Sequence, residues 1–265
     1  MEIVMNIARR MRGWALALVF LFSSAIPAWA DAPVIAGAAD LKFALEEIAA
    51  AFKEDTGREV NLVLGSSGNL YRQIGQDAPF RMFLSADEGF VFKLADAGKT
   101  VDRGELYAIG RIVILVPHGS PLKADGKLND LAAALADGRL GKFAIANPEH
   151  APYGKRSEEA LKHAGLWGKI KGRLVLGENV SQAAQFATSG GTQGGIVAYS
   201  LALAPAVARL GSHALIPDTW HEPLRQRMVL LKGADETTRA FYRYMQQPAA
   251  RAIMKRYGFL LPAER

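Results

Sequence analysis

The 265-residue chain has no cysteine, which excludes disulfides, thiolate metal sites, iron–sulfur clusters and thiol nucleophiles. Beyond its first 30 residues it has no apolar run near the roughly 20 residues that a membrane-spanning helix needs. Histidine is sparse, and His118, His150, His163, His213 and His221 never pair at the i, i+4 spacing of a zinc-protease helix. No phosphate-binding loop with its lysine is present, and Gly65-Ser66-Ser67-Gly68-Asn69 lacks the glycine spacing of a nucleophile elbow. The net charge is +6, yet Lys123, Lys127, Lys142, Lys155, Arg156, Lys169 and Lys171 are scattered without interleaved aromatics. That describes a solvated surface, not a nucleic-acid face. No enzyme signature, nucleic-acid partner or cofactor is expected. His150, which follows Pro148 and Glu149, reads as a solvated or turn-bonding residue.

What is present begins with an export signal. Arg9, Arg10 and Arg12 precede the apolar stretch from Trp14 to Ile26, and Ala28-Trp29-Ala30 fits the small-x-small cleavage rule. The mature chain should therefore start at Asp31, in the periplasm. At well over roughly 100 residues it can bury a core without disulfides.

Strand and helix patterns alternate along the mature chain. Val34-Ile35-Ala36 reads as a strand, and Leu41, Ala44, Leu45, Ile48, Ala49 and Phe52 form the apolar stripe of a helix stopped by Gly57. Further strands are read at Val60 to Leu64, Met82 to Leu84, Ile112 to Val116, Phe143 to Ala146, Leu174 to Leu176, Gly195 to Ala198 and Met228 to Leu231. Helices fall between them, with Pro152 suited to a first turn. The expected fold class is α/β, in two lobes that each hold a mostly parallel sheet flanked by helices. Residues 1–30 are the signal, 31–111 begin the first lobe, 112–222 form the second, and 223–265 return to the first. Two connecting strands are expected near Ile112 and Met228. Ligands of open α/β sheets sit beyond the carboxyl ends of strands. That places Ala38 to Leu41, Gly65 to Asn69, Pro148 to Gly154 and Gly177 to Val180 around one cleft.

The run from Asn61 to Ile74 is the most informative. A strand enters a turn of small residues with two hydroxyls, Ser66 and Ser67, and a helix follows. Such a turn can hold an oxyanion with neutral donors and the positive end of the helix dipole. It is equally a βα turn with a serine N-cap.

The stretches Ala38-Ala39-Asp40-Leu41, Gly65-Ser66-Ser67-Gly68-Asn69-Leu70, Ala78-Pro79-Phe80, Phe83-Leu84-Ser85-Ala86-Asp87, Asn147-Pro148-Glu149-His150 and Arg256-Tyr257-Gly258-Phe259 occur in a recognisable order. In this ordered set the chain resembles the periplasmic molybdate-binding proteins of ABC importers, a branch of the two-lobed "Venus flytrap" periplasmic-binding-protein fold. The resemblance implies a monomeric, non-enzymatic receptor that passes molybdate or tungstate to a membrane permease. Carried over by position, the hydroxyl and N–H of Ser67 and the backbone N–H groups of Tyr153 and Val180 would bind the anion.

Two positions depart from that pattern. Ala198 stands where a tyrosine is expected, with Tyr199 one residue on. Asp40 stands where a serine is common. A carboxylate about 4 Å from an anionic charge costs about 4 kcal/mol at an effective dielectric near 20. Asp40 is read as an N-cap turned from the cleft, its backbone N–H still serving the anion. Otherwise it is protonated, the ligand carries a donor, or the ligand is a hard cation held by Asp40, Tyr153 and Glu178. Intact-mass measurement of protein from the periplasmic fraction should give a chain beginning at Asp31; a full-length mass in the membrane fraction would contradict the signal.

Overall fold

The computed structural model describes residues 32–262. The signal read at 1–30 and its cleavage point lie outside them. One sheet consists of β1 (Val34–Ala38), β2 (Asn61–Gly65), β3 (Phe80–Ser85), β4 (Glu105–Gly110) and β10 (Leu224–Leu230). Its spatial order is β2-β1-β3-β10-β4. The other consists of β5 (Ile112–Pro117), β6 (Phe143–Ala146), β7 (Leu174–Gly177), β8 (Gly195–Ala198) and β9 (Gly211–Leu215), in the order β7-β6-β8-β5-β9. Each sheet has a single reversed strand: β10 runs antiparallel to β3 and β4, and β5 to β8 and β9. The chain passes between sheets at Arg111, between β4 and β5, and again after β9.

The longer helices follow from the apolar spacing. They are α1 (Lys42–Thr56), α2 (Ser67–Gly75), α3 (Glu88–Asp96), α4 (Asn129–Ala136), α5 (Pro152–His163), α6 (Val180–Thr188), α7 (Glu236–Tyr244) and α8 (Pro248–Arg256). Period-two alternation sends Ile35, Met82, Leu84 and Met228 to one face of the first sheet, with Leu45, Ile48 and Phe52 of α1 and Phe241 of α7. There Phe52 meets Phe241 and Tyr244 edge-on, with ring centroids 5.1 and 5.4 Å apart. Ala36, Phe83 and Val229 face the other way, against Leu70, Ile74, Val91 and Leu94 of α2 and α3. The second sheet buries the run Ile112–Val116, with Phe143, Ile145, Ile196 and Val197, under α4, α5 and α6. Burying a large aliphatic or aromatic side chain contributes about 1.5–3 kcal/mol, so these clusters fix the two layers.

Two strands escape the sequence pattern. β4 carries the apolar run Leu106 to Ile109 at the edge of its sheet, and β9 carries Ser212 and His213 in a half-exposed edge strand. The second lacks the continuous apolar run by which the central strands are recognised.

Both sheets share one topological scheme. β1 lies between β2 and β3 as β6 lies between β7 and β8, all parallel. In each sheet the crevice between oppositely directed connections opens at the carboxyl ends of the first two parallel strands. These ends face each other across a narrow gap. There the N–H of Gly68 donates to the carbonyl of His150 at 3.0 Å, and a Cβ on Gly68 would stand 2.5 Å from that oxygen. Gly68→Ala should therefore push the lobes apart without breaking α2. Small-angle scattering should show a larger radius of gyration at unchanged far-UV circular dichroism; an unchanged radius would show that the gap absorbs a methyl group.

Candidate functional site

Four helical N-termini converge on one small cavity between the lobes. Its walls are Ala38, Ala39 and Asp40; Gly65, Ser66 and Ser67; Ala86; Ala151, Pro152 and Tyr153; and Asn179 and Val180. The empty space these residues bound, including its mouth, is ≈ 180 Å³. All four strand-end loops singled out by sequence contribute, two from each lobe. No lysine or arginine lines the wall.

The caps decide which N–H groups remain for a ligand. Asn179 caps α6 by accepting from Ser181 and Gln182, each at 3.0 Å. The N–H of Val180, first in the helix, is left without a protein acceptor. Ser66 caps α2 through the N–H of Asn69, and Gly68 is occupied by His150, so the N–H of Ser67 is free in the same way. Helix α5 begins Pro152-Tyr153 with no side-chain cap, so the first N–H of that helix belongs to Tyr153. Ser67 Oγ accepts the N–H of Ala86 at 2.9 Å, which turns its own proton toward the cavity. Unfilled N–H groups and aligned helix dipoles give a positive potential with no formal cation.

Asp40 is not the N-cap that the sequence suggests. It sits inside a 3₁₀ turn, Ala39–Leu41, that leads into α1, and neither the turn nor the helix has a side-chain cap. Only 1% of the residue is exposed. Its Oδ2 accepts from the Tyr153 hydroxyl at 3.0 Å and from Gln226 Nε2 at 2.7 Å. Those donors outcompete a local cap because they are delivered by the opposite lobe and by β10. Tyr107 donates to Gln226 Oε1 at 2.8 Å and so orients the amide with Nε2 toward Asp40. Gly110 makes room, since a Cβ there would lie 2.3 Å from the Tyr153 oxygen. The Ser200 hydroxyl holds the Asp40 carbonyl at 2.7 Å. Asp40 Oδ1 has no hydrogen-bond partner in the protein.

Burial raises the Asp40 pKa to about 6, against the lowering effect of its bonds to Gln226 and Tyr153. Tyr153 and Tyr107 are held well above the usual phenol range, first by burial and then by the Asp40 charge. Both phenols are therefore neutral donors at physiological pH.

Ser67, Tyr153 and Val180 thus meet at the cavity, with Asp40 beside them. Glu178 does not join them. Its exposed carboxylate stands 3.5 Å from His150 Nε2, because the backbone of Glu178 is held by Gln182 at the start of α6. Among the described residues, no group of three or more histidine, cysteine or acidic side chains is placed to hold a metal ion. Of the cation set, Asp40 and Tyr153 are in contact, and the Glu178 side chain is exposed beside His150. Ala198 and Tyr199 also lie off the cavity wall; Tyr199 packs under the Arg111 guanidinium at 4.7 Å. His150, read as solvated or turn-bonding, spans the lobes instead, with Nδ1 3.0 Å from Ser66 Oγ. Tyr107, Gln226 and Ser200 were missed by sequence reasoning. Their only local signal is a polar residue inside a strand or just after one.

The family described as bacterial extracellular solute-binding protein matches residues 33–260. The molybdate-binding protein ModA of Rhodobacter capsulatus is 35% identical over 253 residues, covering 94% of this chain and 96% of that protein. ModA of Escherichia coli is 32% identical over 230 residues, covering 84% and 87%. The solved periplasmic molybdate-binding protein of Azotobacter vinelandii superposes with a TM-score of 0.78 at 33% identity, covering 87% of this chain and all of that one.

The Asp40 carboxyl sets a pH dependence of stability. Its folded pKa of about 6 lies above the unfolded value of about 3.9. Its contribution is therefore fully present below about pH 4 and is lost as pH rises through 6. Asp40→Asn keeps an oxygen for Tyr153 and Gln226 and removes the buried charge. Denaturant titration should find the variant more stable at pH 8, by up to about 3 kcal/mol, and level with the parent near pH 4. An equal or lower stability at pH 8 would contradict the assignment.

Proposed function

The chain belongs to the bacterial extracellular solute-binding protein family, and we propose that it is a periplasmic receptor that binds molybdate or tungstate between its lobes and delivers it to the permease of an ABC importer. One observation carries the reading: helix N-termini from both lobes present unfilled N–H groups to a single cavity whose described wall has no lysine or arginine. A tetrahedral oxyanion can take a donor at each corner. The hydroxyl and N–H of Ser67 would come from one lobe, and the N–H groups of Tyr153 and Val180 from the other. Hydrogen bonds to an ionised group are roughly twice as strong as neutral ones, which offsets the desolvation of the dianion. Because the donors belong to both lobes, the ligand stabilises the closed arrangement in preference to an open one. The names of the three relatives described above, each a molybdate-binding protein, support the ligand class. Export, a monomeric state and binding without turnover are part of the same proposal.

Thermal-shift titration tests it. Molybdate and tungstate should raise the melting temperature progressively with concentration, and a hard metal ion should not. No shift with either oxyanion would end the proposal. Ser67→Ala should weaken molybdate binding by roughly 1.5–3 kcal/mol, the range for a hydrogen bond to a charged group. It should also cost stability of about 1 kcal/mol, since Ala86 loses its acceptor. Calorimetry showing unchanged affinity would reduce Ser67 to a turn residue.

A further inference from the structure

Asp40 presents a contradiction that the proposed function leaves open. A carboxyl group stands in the wall of a cavity otherwise built to attract an anion. Its two oxygens are treated unequally: Oδ2 receives two donors, Tyr153 and Gln226, whereas Oδ1 is buried without any. This asymmetry matches the neutral acid. In a carboxylic acid the carbonyl oxygen accepts up to two hydrogen bonds and the other oxygen carries a proton to donate. An ionised carboxylate would leave Oδ1 charged and buried with no donor from the protein.

Resting on the molybdate reading, we propose that Asp40 binds the oxyanion as a neutral acid, donating a hydrogen bond from Oδ1, so that one proton enters the site with each dianion. The residue then acts as a proton-linked determinant of affinity in place of a simple hydroxyl donor. The titratable groups that face it are Tyr107 from β4 and Tyr153 from α5; Gln226 of β10 and Ser200 are neutral. Neither phenol ionises near neutrality, so no other facing group supplies the proton. Burial already places the free acid at about 6, and an adjacent dianion raises it further.

The consequence is measurable. Above pH 6 molybdate is the dianion and its own protonation contributes nothing. If only the neutral acid binds, apparent affinity should fall about fifty-fold from pH 6 to pH 8, as the competent fraction falls. Calorimetry at pH 7.5 in two buffers of different ionisation enthalpy should report close to one proton taken up per molybdate. Asp40→Asn offers an amide donor in the same place, so its affinity should be flat with pH and its proton uptake zero. Should that variant fold poorly, Asp40→Ser supplies a second non-titrating donor, and the proton count of the parent stands without either variant.

Molybdate binding by the parent with a flat profile and no proton uptake would overturn the inference while leaving the receptor reading intact. Proton uptake that persists in Asp40→Asn would overturn it by moving the proton to another group. Binding of hydrogen phosphate in place of molybdate would mean that an ionised Asp40 accepts from a protonated ligand, which overturns both readings. Failure of molybdate and tungstate to bind anywhere between pH 5.5 and 8.5 would overturn the receptor reading, and the inference with it.

Discussion

A single carboxyl oxygen ties the site together. Asp40 Oδ2 gathers a phenol from α5 of one lobe and an amide from β10 of the other, and both donors are themselves held by Tyr107 and Gly110 at the crossing between sheets. Removing the Gln226 amide would leave the buried Tyr107 hydroxyl without its acceptor, at a cost of about 1–3 kcal/mol. The network thus links the closure of the lobes to the chemistry of the cavity wall. It also explains why so polar a residue is tolerated beside an otherwise apolar floor of Ala38, Ala39, Ala86 and Ala151.

The rest of the wall works through what is left unsatisfied. A lysine or arginine would attract any anion and would keep its own hydration in competition. Backbone N–H groups at helix starts are fixed in direction and already stripped of partners by the fold. Caps at Ser66 and Asn179 absorb the neighbouring N–H groups and leave those of Ser67 and Val180 without a protein acceptor.

The two sheets repeat one plan, with a central strand flanked by two parallel neighbours and one reversed strand arriving from the other lobe. The plan is shared although the residues differ: the first sheet is covered on both faces by separate clusters, and the second is dominated by the apolar run Ile112–Val116. Small contacts at the gap, Gly68 to His150 and Arg156 to Asp87 at 3.8 Å, decide how closely the halves approach. The partly exposed Arg156–Asp87 pair contributes little on its own.

The sequence by itself determined the α/β alternation, the apolar stripe of α1 and its end at Gly57, the serine turn and the four strand-end loops. These depend on local periodicity and turn chemistry, which neighbouring residues encode. It also singled out Ser67, Tyr153 and Val180, all on the cavity wall. It misjudged Asp40, because a helix start offers aspartate a local cap and nothing nearby reveals that Tyr153 and Gln226 lie within reach. It included Glu178 in a cation set for the same reason, since hard-ligand chemistry is visible in a residue type and its direction is not. Only the tertiary structure could decide these cases. The partners of Asp40 lie 113 and 186 residues away along the chain, and a buried carboxyl's charge is set by what folding brings against it.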